Sequence, residues 1–241
     1  MVKANVKKVA RCDGVVASSA GVVKAAPPLR YGCDFCGTGA MTVALTALTS
    51  HFGMEKSLVH EFSCDSDDHS KKLANAGPNK PRVWFNTVVN RPVDQMPTVD
   101  FFQYTGPCQG LSSLGLAEGS SDARTVLIVH SLLYIRSKKP RCFVSEMVAT
   151  LATQSKNRAL LRFIMEQHRN DGYDVEFRLL NTKDHGIPQQ RLRFYLIGIR
   201  KDSVRQRNEG WGVHGLFIGG NSEIRKTENN LICYGSGMLG K

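Results

Sequence analysis

From Tyr31 to Arg200 the chain alternates short apolar runs with stretches whose apolar residues recur at helical spacing. The runs predict strands over 31–36, 58–64, 82–85, 99–104, 141–147, 175–181 and 194–200. Helices are predicted over 40–52, 67–74, 123–137 and 156–171. The last carries Leu160, Leu161, Ile164 and Met165 near one helical face. Ser121 or Asp122 is suited to cap the third helix, and Ser155 the fourth. Strands that alternate with helices predict an α/β fold with a mainly parallel, doubly wound sheet. Ligands of such sheets bind beyond the carboxyl ends of the strands, so the residues standing there are the functional candidates.

The flanks differ in character. Residues 1–30 are rich in Ala, Val, Ser and Lys, carry six basic residues against one acidic, and show no steady period. They read as a flexible basic tail. Its shortage of acidic residues and its serines give a weak case for organelle targeting. Residues 201–241 are polar and Gly-rich, with Trp211, Phe217 and Ile218 as the main apolar anchors, and read as a short irregular tail. The middle, 31–200, is then the one core domain.

Composition narrows the class. At 241 residues and 41% hydrophobic content the chain is long enough for a sizeable core. No run approaches the roughly 18 apolar residues of a membrane span. The start lacks the apolar block of a secretory signal. The seven cysteines, an odd number set mostly in apolar runs, predict reduced thiols in a nuclear or cytoplasmic protein. The net charge of +11 suits a polyanionic partner, although basic residues can equally well just solvate a surface.

Five segments stand at strand ends. The first is Asp34-Phe35-Cys36-Gly37-Thr38-Gly39-Ala40, a glycine turn before a helix. Its glycines permit close approach to a ligand, but the third glycine of a dinucleotide fingerprint is missing, which argues against NAD. The second strand holds Glu61 and ends at Asp65. Either acid could accept from ribose hydroxyls, and strand position favours Asp65; otherwise Asp65, with Ser66 and Asp67, only opens the next helix. The fourth strand empties into Thr105-Gly106-Pro107-Cys108-Gln109-Gly110, which sets Cys108 at the binding edge as a reactive thiol rather than an inert core one. The fifth strand carries Glu146, costly in an apolar strand unless paired or functional. Finally Gln189-Gln190-Arg191-Leu192-Arg193 leads into an apolar strand, with both arginines on one face, free to meet a phosphate, a base or Glu146.

Taken in order, these segments resemble the catalytic core of the cytosine carbon-5 DNA methyltransferases. Phe35-Cys36-Gly37-Thr38-Gly39-Ala40 is similar to the family's first motif, and Phe62-Ser63-Cys64-Asp65 to its second. Gly106-Pro107-Cys108-Gln109 followed by Ser112 matches the Pro-Cys-Gln motif, and Asp122-x-Arg124 before a helix matches a further feature. Glu146 stands where the Glu-Asn-Val motif has its glutamate, and Gln189-x-Arg191-x-Arg193 matches Gln-x-Arg-x-Arg. The resemblance implies a Rossmann-like class I S-adenosylmethionine-dependent methyltransferase fold, with an antiparallel edge strand. It implies Cys108, Glu146, Arg191 and Arg193 as catalytic residues. Phe35, Gly37, Gly39, Asp65, Asn86 and Pro107 would bind S-adenosylmethionine, with no metal. DNA is the implied partner. RNA on the same core is the first rival, and a non-catalytic core that binds nucleic acid or a partner methyltransferase is the second. A redox or zinc role for Cys33-x-x-Cys36 is a third, without a second Cys or His pair at ligand spacing.

Three features depart from the family pattern. Met147 replaces the Asn beside the glutamate, and Asn86 replaces an Asp that accepts from the adenine amino group. Only 41 residues follow Arg200, too few for the family's target-recognition region. The expectation is a fragment, a degenerate copy or half of a split enzyme, weak alone, with a partner chain supplying that region.

Overall fold

A computed structural model describes residues 27–54, 57–77, 79–106 and 123–203, the last segment from 127 onward with side chains. Seven strands form one sheet: β1 (Leu29–Asp34), β2 (Leu58–Cys64), β3 (Val83–Phe85), β4 (Phe101–Tyr104), β5 (Cys142–Val148), β6 (Tyr173–Asn181) and β7 (Leu192–Arg200). Between them run α1 (Ala40–His51), α2 (Asp68–Ala76), α3 (Ala123–Lys138), the single turn α4 (Thr150–Thr153) and α5 (Arg158–Asn170). Each predicted strand and helix is present, with shifts of a few residues at the ends. No helix among the described residues is long and apolar enough to cross a membrane.

The strand order is β3-β2-β1-β4-β5-β7-β6. Pairing is parallel from β3 through β5, while β7 runs antiparallel to both β5 and β6. The antiparallel strand expected at the edge is therefore β7, and it sits one place in from the edge, which β6 occupies. The crossover through α5 sets β6 one position away from β5, and the chain then folds back through residues 182–191 to fill the gap.

Two apolar clusters lie on opposite faces of the sheet. Phe101 and Phe102 are successive residues of β4, and successive strand side chains point to opposite faces. Phe102 belongs to the large cluster with Phe62, Tyr104, Tyr134, Phe143, Ile164, Tyr173 and Phe194, under α3 and α5. Phe101 packs with Tyr31, Leu45 and Leu58, under α1. The large core is aromatic and close-packed; the Phe102 and Tyr134 ring centroids are 4.6 Å apart. On β5 buried and half-buried residues alternate, which places Phe143, Ser145 and Met147 in that core and Glu146 on the other face.

The carboxyl ends of β1, β2, β3, β4 and β5 consequently share one rim, and those segments singled out in the sequence that lie among the described residues stand along it.

Candidate active site

The glycine turn starts where β1 stops. Phe35 adopts φ 57°, Gly37 φ 51° and Gly39 φ 79°, and Gly39 caps α1. Side chains strain such backbone, and the two glycines relieve two of the three positions. A Cβ on Gly37 would meet nothing within 4 Å, so its absence leaves open space above the turn. Turning this tightly brings Cys33 and Cys36 to a Cα separation of 5.7 Å, and they are joined as a disulfide. The expectation of reduced thiols is corrected at this pair. Cys64 and Cys142 are free, and burial pushes the Cys64 thiol up to about 12, with the Asp34 charge adding to it.

Asp65 follows β2 at the rim, the strand-end position expected of it. Glu61 is buried within the strand, with Arg30 Nε at 2.9 Å and Arg82 at 3.2 Å, so it is a structural ion-pair acceptor. Asp65 Oδ2 accepts from Gly37 N at 2.7 Å, and Oδ1 from Asp67 N at 3.0 Å. The helix cap is not Asp65 but Asp67, whose carboxylate accepts from Ser70 N at 2.7 Å. The Ser70 hydroxyl, which donates to the same carboxylate at 2.8 Å, and then that backbone bond lower the pKa of Asp67. Asp65 thus ties the end of β2 to the glycine turn, and a carboxylate still has lone pairs to offer a ligand. Asn86 is exposed directly after β3.

At the other end of the rim, β5 presents Glu146 to two arginines. Arg193 Nε lies 3.0 Å from Glu146 Oε1, and Arg191 lies 3.7 Å from it. The contact with Arg193 is an ion pair without the alignment of a hydrogen bond, since Oε1 has no hydrogen-bond partner among the described residues. The attraction persists all the same, because an ion pair tolerates misalignment that a hydrogen bond does not. Glu146 opposes Tyr195 across the β5–β7 ladder, which sets Arg193 beside it on the same face. Arg191 is further fixed by its backbone N–H, which donates to Asn181 Oδ1 at 3.0 Å. Of the three partners open to the arginines in the sequence, Glu146 is the one they meet. His185, in the loop between β6 and β7, is exposed.

Pro107 and Cys108, with Ser121, Asp122 and the side chain of Arg124, lie outside the described residues. What leads to them is described. Gly106 follows β4, and a Cβ there would sit 3.0 Å from Ile128 and 3.7 Å from Met147 Sδ. Met147, the residue in place of the family's Asn, is fully buried and packs beneath this point. A cavity of about 430 Å³ opens between α1 and α2, lined by Thr38, Gly39, Thr42, Val43 and Leu73 among others. It shares the glycine turn with the rim but reaches neither Asp65 nor Glu146, and the chemistry of the rim is the better guide.

The sequence reading missed one cluster. Asp34, fully buried, receives Arg91 through two bonds, Nη1 to Oδ1 at 2.6 Å and Nη2 to Oδ2 at 2.7 Å. Ser131 Oγ donates to the same carboxylate at 2.8 Å. A carboxyl at the end of the apolar run 31–34 was the available signal; nothing in the sequence pointed to Arg91, 57 residues away.

Comparison with known proteins agrees with this arrangement. The sequence profile of the C-5 cytosine-specific DNA methylases matches residues 35–230. The orphan methyltransferase M.Rho11sI of Bacillus phage rho11s is 31% identical over 84% of this chain and 38% of its own length. The type II methyltransferase M.NgoBI of Neisseria gonorrhoeae is 32% identical over 61% of this chain and 45% of its own. The chain thus spans less than half the length of these curated relatives. Among solved structures, the S. pombe Dnmt2 methyltransferase matches with TM-score 0.60 at 16% identity, covering 80% of this chain and 56% of that one. A putative DNA modification methyltransferase from an E. coli prophage matches with TM-score 0.56 at 19% identity, over 72% and 47%. At such identities these two likenesses speak for the fold alone, that of the Rossmann-like methyltransferases. The ordered motifs and the profile that runs through them place the chain in the C-5 cytosine-specific DNA methylase family.

Proposed function

We propose that the protein transfers a methyl group from S-adenosylmethionine to carbon 5 of cytosine in DNA, through a covalent bond from Cys108. The observation that carries this reading is the clamp of Glu146 by Arg193 and Arg191 on β5, beside the strand that leads through Gly106 toward Cys108.

The residues of the glycine turn fit the cofactor. An adenosyl group needs acceptors for ribose hydroxyls, an apolar surface for the base and backbone free of side chains nearby. Asp65 offers the carboxylate, Phe35 the ring, Asn86 an amide, and Gly37 and Gly39 the open backbone. Pro107 would complete the pocket from the nucleophile loop. The bound cofactor would supply an electrophilic methyl group.

The chain's own residues do the rest. Carbon 5 of cytosine is a poor nucleophile until carbon 6 carries an added electron pair. The Cys108 thiolate adds to carbon 6, and negative charge develops toward ring nitrogen 3. Glu146, in its protonated form, takes up that charge by donating its carboxyl proton to nitrogen 3. Arg193, with Arg191 in support, orients Glu146 and contacts the exocyclic oxygen. After methylation the carbon-5 proton passes to solvent water, its electron pair forms the 5,6 double bond and expels Cys108 as the thiolate, and nitrogen 3 returns its proton to Glu146, which restores the ring. A base stacked in a duplex is out of reach of such a rim, so the target cytosine must be flipped out. The positive net charge serves the phosphates.

Incubation of the chain with labelled S-adenosylmethionine and cytosine-containing duplex DNA tests the reading. Label should enter DNA and not RNA, and Cys108→Ala should abolish incorporation. Label in RNA alone would move the substrate to RNA, and label that persists in Cys108→Ala would remove the covalent mechanism.

A further inference from the structure

We propose that Arg91 is a positioning residue for the reaction: through the buried carboxylate of Asp34 it locks the cofactor turn, the Asn86 loop and the entry to the nucleophile loop into one rigid unit. The inference rests on the cofactor and nucleophile roles proposed above and adds a residue outside the family motifs.

Asp34 is the last residue of β1, and Phe35 follows it in the cofactor turn. Its carboxylate draws in three donors from two other segments. Two come from Arg91, in the loop after β3, and one from Ser131, on the helix that follows the nucleophile loop. The Arg91 guanidinium also lies over the Phe85 ring, 5.6 Å from its centroid, and Phe85 directly precedes Asn86. The backbone carbonyl of Asp34 accepts from Thr105 N at 3.3 Å, and Thr105 Oγ1 donates to the carbonyl of Phe35 at 2.5 Å. Thr105 stands three residues before Cys108. Every proposed functional segment on the β1, β3 and β4 ends is therefore one or two contacts from a single carboxylate.

The pair is fully desolvated: the Arg91 side chain is 2% exposed and that of Asp34 0%. Burial works against the charge of Arg91, and the hydrogen bonds and charge of Asp34 more than offset it, so its pKa is raised. Buried ion pairs of this kind add little net stability over apolar residues of similar volume, and what they offer is a fixed geometry. A guanidinium fork on a carboxylate fixes both distance and orientation, which one lysine ammonium cannot do. Its retention here is explained by the need to hold Phe35 and Asn86 in register with the strand that delivers Cys108.

The discriminating variant is the double replacement D34L/R91M, which removes the pair while roughly keeping its volume, with R91K as the conservative companion. Urea midpoint, amide hydrogen exchange and the Kd for S-adenosylmethionine are measured on the full chain. The proposal predicts a parental or higher midpoint for D34L/R91M. Exchange over 35–39 and 86–91 should nevertheless be faster by about tenfold, and Kd weaker by roughly tenfold to a hundredfold. R91K should fall between the two. A folded D34L/R91M with parental exchange in both segments and parental Kd would overturn it. If D34L/R91M does not fold, R91K carries the test, and parental exchange and Kd there would overturn the proposal equally. If the parent itself binds no S-adenosylmethionine, the cofactor reading fails, and the exchange data still decide whether Arg91 fixes the two segments.

Discussion

Arg193 and Arg191 touch the same carboxylate but should not matter equally. Arg193 is 3.0 Å from Glu146 and one-quarter exposed; Arg191 is 3.7 Å away and 46% exposed. Solvent screens the second contact more than the first. Arg193→Ala should lower the single-turnover rate of methyl transfer by about 10²–10³, and Arg191→Ala by roughly tenfold or less. Equal losses would show that Arg191 contacts the substrate directly. Asp65→Asn keeps the shape of the rim but replaces a charged acceptor of Gly37 N with a neutral one. The Kd for S-adenosylmethionine, measured by calorimetry, should rise by about tenfold while the urea midpoint stays close to the parent's. These residues were legible in the sequence because each adjoins a strand of strong apolar character: Asp65 follows β2, and the two arginines stand at the start of β7. Chain distance hid the others. Asp34 ends β1 and Arg91 lies in the loop after β3, and only the folded sheet brings the two together. The Cys33–Cys36 bond was hidden for a different reason: it depends on Phe35 taking a left-handed conformation that a Phe rarely takes.

The elements themselves were almost all readable, since buried parallel strands are apolar runs and the helices between them show their own period. Two features were not. The four-residue α4 is too short to display a period. The place of β7 inside the sheet is a matter of strand adjacency, which alternation along one strand does not record. The structure makes β7 depend on a glycine. Gly198 pairs with Phe143 across the ladder, and a Cβ on it would lie 2.0 Å from the Phe143 ring. That ring is part of the main core and is fully buried. Gly198→Ala should therefore destabilise the fold by about 1–3 kcal/mol through overpacking, read as a lower urea midpoint. Because β7 carries Arg193, activity should fall at temperatures where the variant still folds. An unchanged midpoint would mean that Phe143 has room to move.

At the scale of the whole molecule, a histidine in the core sets the response to acid. His168 is fully buried on α5, its ring 4.1 Å from that of Phe143, and its Nε2 meets Tyr104 OH at 3.0 Å. Its Nδ1 has no partner among the described residues. Burial pushes its pKa down to about 3. The unfolded chain binds a proton near the ordinary histidine value of about 6.5, so between the two values it holds more protons than the folded one. Stability from this source is present above about pH 6.5 and is lost as the pH falls below it, by about 2 kcal/mol between pH 7 and pH 5. His168→Gln should flatten that part of the profile in urea titrations, and a parental slope would assign the acid response to other groups. The positive net charge acts on association rather than on the fold. DNA affinity should fall steeply as salt is raised from about 50 to 200 mM. In the proposed function the rim supports a covalent attack by Cys108 on cytosine. A duplex carrying 5-fluorocytosine, whose carbon-5 fluorine blocks the final elimination, tests that claim most directly. With S-adenosylmethionine present the account predicts a stable protein–DNA adduct, mapped by peptide mass spectrometry to Cys108 and absent in Cys108→Ala. A folded chain that binds the cofactor and the duplex, yet forms no adduct or forms one at another residue, would contradict it.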